Sequence, residues 1–358
     1  MSFRGLVGHR ELVAGLLGEL ARRPSHAYLL AGPRGVGKAI VAQGLAHSIL
    51  CERSPGADFC CTPENCATRL AAAPARRARA NAPAAPRCDC CAGCVQVASG
   101  VHPDYSYVSR QANRTEVLIE QVRDLIDHLG IRPSRAPRRV AIVDDAETLN
   151  LPAQNALLKT LEEPPGHTII FLVTDAERAL LDTVRSRTRP VRFGPLTVAE
   201  IAGPLESRAH LAAERANGLA RLARGSLARA LAMSDGAEPP IKQLVEALSR
   251  AKTFDFAAAQ RIAQDFFGGR DEAADNFELI ARILEEMLCF RLLHEELNAP
   301  SPETARTMTE LAQKLSPATL AELIGTALKA AASVEAMANS RLQAEQWWMA
   351  TGAALAAH

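Results

Sequence analysis

The chain has 358 residues, 48% hydrophobic and 23% charged, with 41 basic against 40 acidic side chains and a formal charge of +1. That length exceeds one compact core and points to two or three domains, and the near-neutral balance excludes a global field for nucleic acid, so any DNA contact is local or borrowed. The opening MSFRGLVGHREL lacks the apolar run of a secretory signal, and apolar runs such as TIIFLV (168 to 173) are too short to span a bilayer, so a soluble cytoplasmic protein without membrane contact is expected.

In chain order, HAYLLAG (26 to 32) is a short apolar run ending in a glycine turn, and KAIVAQGLAHSIL (38 to 50) continues at helical period. Between them, GPRGVGKA sets Gly32, Gly35, Gly37 and Lys38 in the order of a phosphate-binding loop, G-x-x-x-x-G-K-[ST]. The last position is Ala39, which lacks the hydroxyl that would hold magnesium. Backbone amides and Lys38 still suit phosphate, so the loop predicts nucleotide binding that outlasts hydrolysis.

Eight of the nine cysteines then fall between Cys51 and Cys94, which in a reducing cytosol favours a metal site over disulfides. Residues 67 to 87 contain ten alanines, five arginines and three prolines, too little apolar surface to offset ordering, and a mobile insertion is expected there. DYSYVSR (104 to 110), RRVAIVDDA (138 to 146), TIIFLVTD (168 to 175) and RPVRF (189 to 193) read as strands. Val117, Leu118, Val122, Leu125, Ile126 and Leu129 mark one helix face, and Ala153 to Glu163 forms another helix ended by Pro164 and Pro165. Alternating strands and helices with uninterrupted apolar runs imply a parallel sheet covered on both faces over residues 1 to 195. Asp144 and Asp145 after VAIV have the form of a Walker B element. There the first carboxylate serves magnesium and the second, usually Glu, orients water; Asp145 is one methylene short.

Beyond FGPLT (193 to 197) strand signals stop, leaving a small helical unit over 196 to 236, a linker at SDGAEPP (234 to 240) and an all-helical domain over 241 to 358. Cys289 there reads as a buried inert thiol, and Trp347 and Trp348 as packing or interface anchors.

HAYLLAGPRGVGK, VDDAETLN, QNALLKTLEEPP and LLDTVRSRTRPVRF, with the cysteine cluster followed by VASGVHPDY, resemble the delta-prime subunits of bacterial DNA polymerase III clamp loaders, AAA+ proteins, over residues 3 to 230. ALLKTLEEPP alone is shared with gamma/tau motor subunits. The resemblance implies an AAA+ P-loop sheet with a zinc insertion, a helical lid and a C-terminal collar, assembling with gamma/tau and delta to place a sliding clamp on primed DNA. It implies that Ser186, Arg187 and Thr188 occupy a Ser-Arg-Cys motif whose arginine enters a neighbour's ATP site, with Thr188 in place of the cysteine. It also implies zinc held by Cys51, Cys88, Cys91 and Cys94, with Cys60 or Cys61 able to replace Cys51 and with Cys66 and Cys90 surplus. The 36-residue gap after Cys51 is roughly two doublings of the family's, costing only ~1 kcal/mol in loop closure. Where a motor subunit carries a sensor arginine this chain has Ala228, with Arg229 one place later. Ala39, Asp145 and Ala228 thus fit a stator that binds ATP weakly or not at all, without a full magnesium site. Two rivals are an active gamma/tau-type ATPase, which needs a hydroxyl at 39 and Glu at 145, and a zinc-centred nucleic-acid-binding module.

Overall fold

The computed structural model describes residues 6–52, 91–111, 114–234, 240–251, 255–294, 297, 299, 301–335 and 338–356. Two compact units divide the chain, Met1–Leu196 and Thr197–His358.

In the first unit, helix α1 (Arg10–Arg22) precedes strand β1 (Ala27–Ala31), and α2 (Lys38–Ile49) and α3 (Ala92–Ala98) precede β2 (Tyr105–Val108). Next come α4 (Ile119–Gly130), β3 (Arg139–Val143), α5 (Leu151–Glu162), β4 (Thr168–Thr174), the single-turn α6 (Asp182–Arg185) and β5 (Arg189–Arg192). The five strands form one sheet in the order β2-β3-β4-β1-β5, every pair parallel. Successive side chains of a strand point to opposite faces. Tyr28 and Leu30 therefore join Val41, Leu45 and Phe171 on one side, while Leu29 and Ala31 join Leu125 and Leu157 on the other. The inner strands β1, β3 and β4 are buried along their whole length, which is why their sequence runs show no polar alternation. Strand β3 is shorter than the expected 138 to 146 because Asp145 turns into the left-handed region at φ 52 and starts a 3-10 turn over Ala146–Thr148.

The lower edge of the sheet is tied by a buried charge. Asp104, fully buried, accepts from the backbone amides of Ser134 (2.7 Å), Arg135 (2.8 Å) and Ala136 (2.9 Å) and lies 3.7 Å from the buried Arg139 guanidinium at the start of β3. Arg139 in turn donates to the carbonyls of Pro103 and Arg132. Burial pushes the Asp104 carboxyl up, but the three amides and Arg139 outweigh it and hold it below the usual carboxylate range.

The second unit is helical among the described residues. It comprises α7 (Val198–Arg208), α8 (Ala213–Leu222), α9 (Leu227–Ser234), α10 (Pro240–Arg250), α11 (Phe256–Phe266), α12 (Arg270–Leu293), α13 (Pro302–Lys314), α14 (Pro317–Glu335) and α15 (Ser340–Ala356). Helix α7 starts at a capping box in which Thr197 and Glu200 bond each other's amides. Trp347 and Trp348 are buried, packed edge-on at 5.0 Å, and Trp347 donates to Thr326 Oγ1. Cys289 is half-buried rather than buried, since it lies toward the end of α12, where the helix face is only partly covered. Among the described residues no helix is long and apolar enough to cross a membrane.

Candidate functional site

In a parallel sheet every strand delivers its following loop to the same edge. The loop after β1 carries Gly32 to Lys38, the turn after β3 carries Asp144 and Asp145, and Asp175 follows β4, all at that carboxyl edge. Gly32 is required by close approach: a Cβ there would lie 2.3 Å from the Phe193 carbonyl oxygen. Gly37 caps α2 with φ 99, a conformation side chains disfavour. Lys38 opens α2, nearly buried, and its ammonium donates to Gly32 O (2.7 Å), Pro33 O (2.7 Å) and Asp175 Oδ1 (2.6 Å). Ala39 follows on the first turn with no oxygen to offer.

Asp144 accepts from the Tyr107 hydroxyl at 2.5 Å, and its carboxyl is pushed up by burial, against the opposing effects of that hydrogen bond and of Lys38. Asp145 is pushed up to about 6, by burial first and then by Asp144 and Glu147. Glu147 is also raised, by burial and by Asp175, whose amide it accepts at 3.2 Å. Four carboxylates thus share an edge with Lys38. The sequence reading named Asp144 and Asp145 but missed Tyr107, Glu147 and Asp175; the position of Asp175 just past a buried strand was its only local signal.

Ser186 and Arg187 follow α6 and precede β5, at the opposite edge of the sheet. Tyr28 pairs with Arg189 in register, so four strand steps, about 13 Å, separate that row from Gly32. Arg187 is about one-third exposed, pairs with Glu162 Oε1 at 2.9 Å, and donates to Thr183 O and Ser186 Oγ. Glu162 belongs to the ALLKTLEEPP stretch, so two motifs read separately in the sequence meet here. Arg185 and Arg189 are engaged by Asp182 and Glu19. Thr188 is buried and its hydroxyl donates to Arg185 O, closing the turn.

Cys51 at the end of α2 and Cys91 and Cys94 at the start of α3 bring their sulfurs within 4.8 Å of one another. The Cys94 amide donates to Cys91 Sγ at 3.4 Å. Thiolates on a tetrahedral zinc sit about 3.8 Å apart, given Zn–S near 2.3 Å, so this donor set fits zinc. Cys88, with Cys60, Cys61, Cys66, Cys90 and the 67 to 87 segment, lies outside the described residues. In the second unit Arg229 is held by Asp275 (3.1 Å) and Glu278 (2.6 Å) of α12, and Arg224 by Glu285.

The parallel sheet with a glycine loop and lysine after β1 and an acidic pair after β3 defines a P-loop fold. The chain is similar to the clamp-loader subunits of DNA polymerase III, delta-prime, gamma and tau. The family described as "DNA polymerase III, delta subunit" matches residues 64–197. DNA polymerase III subunit delta' of Pseudomonas aeruginosa is 32% identical over 46% of this chain and 41% of its own length. DNA polymerase III subunit tau of Escherichia coli is 34% identical over 66% of this chain and 33% of its own. The matched part therefore spans less than half of either relative. Among solved structures, a gamma subunit-related protein of Thermotoga maritima covers 96% of this chain and 99% of its own at 17% identity and TM-score 0.46.

Proposed function

We propose that the chain is a delta-prime subunit of the clamp loader: a stator whose own ATP site is degenerate and whose Arg187, positioned by Ser186, acts on ATP bound by the neighbouring gamma/tau subunit. The observation that carries this reading is the placement of Arg187 at the sheet edge opposite the chain's own phosphate loop, where its guanidinium cannot serve Lys38's site. An exposed planar cation suits the charge of a transferring phosphoryl, and such an arginine finger is worth ~10³ to 10⁵ in rate. The chain's own loop has the glycines and lysine of a phosphate loop, Gly32, Gly35, Gly37 and Lys38, but lacks a hydroxyl at Ala39, and Asp145 is short for aiming water. A motor-type arginine is likewise missing, since Arg229 is committed to Asp275 and Glu278.

In this reading the first unit is the AAA+ domain, and the second holds a lid (196 to 236) and a collar (241 to 358) that joins gamma/tau and delta. The complex works in the cytoplasm on a sliding clamp and primed DNA. Cys51, Cys91 and Cys94, with Cys88 as fourth ligand, would hold zinc, which cross-links the end of α2 to α3. The test is Arg187→Ala in a loader reconstituted with gamma/tau and delta. DNA-stimulated ATP turnover should fall, and Arg187→Lys should not restore it; an unchanged rate overturns the assignment.

A further inference from the structure

An ammonium has three N–H donors, and in Lys38 all three are taken, by two carbonyls of its own loop and by Asp175, at 2.6 to 2.7 Å. The lysine is nearly buried, and Asp175, about one-third exposed, bonds it from the same carboxyl edge of the sheet that carries the glycine loop. We infer that Asp175 is a built-in occupant of the phosphate site, a carboxylate that neutralises Lys38, holds the glycine loop in its folded shape without nucleotide, and excludes nucleoside di- and triphosphates. This deepens, and rests on, the reading of the site as one that does not hydrolyse ATP.

Charge around the loop favours the same outcome. A phosphate displacing Asp175 from Lys38 enters an edge that also carries Asp144, Asp145 and Glu147, and each of these carboxyls already feels the charge of Asp175. In a working site magnesium offsets such a crowd, but Ala39 withholds one of its ligands. The incoming anion must then break a short ion pair and meet like charges with weakened metal screening, so the intramolecular carboxylate wins. Asp175 is 137 residues from Lys38 in the chain and reaches it because β4 pairs with β1, Thr174 beside Ala31.

The test uses the full chain, with ADP bearing a fluorescent N-methylanthraniloyl group as probe and inorganic pyrophosphate as competitor. Asp175→Asn should raise ADP affinity by about tenfold or more, and adding Lys38→Ala should abolish that gain. Melting supplies a second readout: without ligand the Asn variant should melt below the wild-type chain, and pyrophosphate should restore it while leaving wild type unmoved. Asp175→Ser gives the same comparison if the Asn variant does not fold. Equal affinity of folded variant and wild type, or equal stabilisation of both by pyrophosphate, overturns the inference. Steady ATP turnover by the wild-type chain alone would instead overturn the underlying reading of a silent site, whatever the variants do.

Discussion

Replacing Asp104 by Asn keeps the shape of the side chain and removes its charge. In the native site one carboxylate oxygen takes the Ser134 amide and the other takes the amides of Arg135 and Ala136. An asparagine can offer an oxygen to only one of those two sides, so at least one of these amides faces an N–H group. The Arg139 guanidinium, 3% exposed, also loses its only described carboxylate neighbour, at 3.7 Å. Removing one partner of a buried pair costs about 3 to 5 kcal/mol; the lower end applies here, because carbonyls of Pro103 and Arg132 keep part of the guanidinium satisfied. For a unit of 196 residues each kcal/mol is about 2 to 4 °C, so the melting point should drop by about 6 to 12 °C. Urea unfolding followed by far-UV circular dichroism measures the loss, and amide exchange over Arg139–Val143 locates it. The pH dependence adds a sign. Because the folded carboxyl is held low, its contribution is present above the ordinary carboxylate pKa and fades as pH falls through the folded value. The gap between wild type and Asp104→Asn should therefore close in acid. A loss under about 1 kcal/mol, or a gap independent of pH, would refute an ionised carboxylate in that cradle.

Asp145 titrates the other way: its carboxyl is raised to about 6, so its charged form costs stability, which is present at acid pH and lost as pH rises through 6. Asp145→Asn should stabilise the chain by up to about 3 kcal/mol at neutral pH, the gap opening as pH rises from the ordinary carboxylate range to 6 and vanishing in stronger acid, since Asn tolerates the left-handed backbone; melting curves across pH check this. Cys91→Ser and Cys94→Ser should each lower zinc content measured by atomic absorption, and a chelator should lower the melting point of wild type but not of the serine variants. Arg229→Gln should cost about 1 kcal/mol, because Arg229 is 21% exposed and its partners are screened by water, and it should leave zinc content unchanged.

Much of this was legible in local pattern. Buried runs such as AYLLA and TIIFLVT announce inner strands of a parallel sheet, because such strands have no wet face. The glycines and lysine of the loop, the absent hydroxyl at Ala39, and the helix end at Pro164 are likewise readable from a few adjacent residues, since backbone sterics act over that range. The cysteine spacing announced a metal-binding type of cluster, and three of its sulfurs do converge.

What local pattern could not tell is which charged groups meet. Asp175 on Lys38, Glu162 on Arg187, Asp275 and Glu278 on Arg229, and Arg139 beside Asp104 all join residues that are 25 to 137 positions apart. A lone Asp after a strand or a lone Arg before one carries no mark of its partner. The strand order sets these pairs by laying β4 beside β1 and carrying Arg187 to the edge away from the glycine loop. Residue type and period follow from short-range sterics and burial, and so belong to the sequence; the pairing of charges follows from which strands neighbour one another, and only the folded sheet decides that.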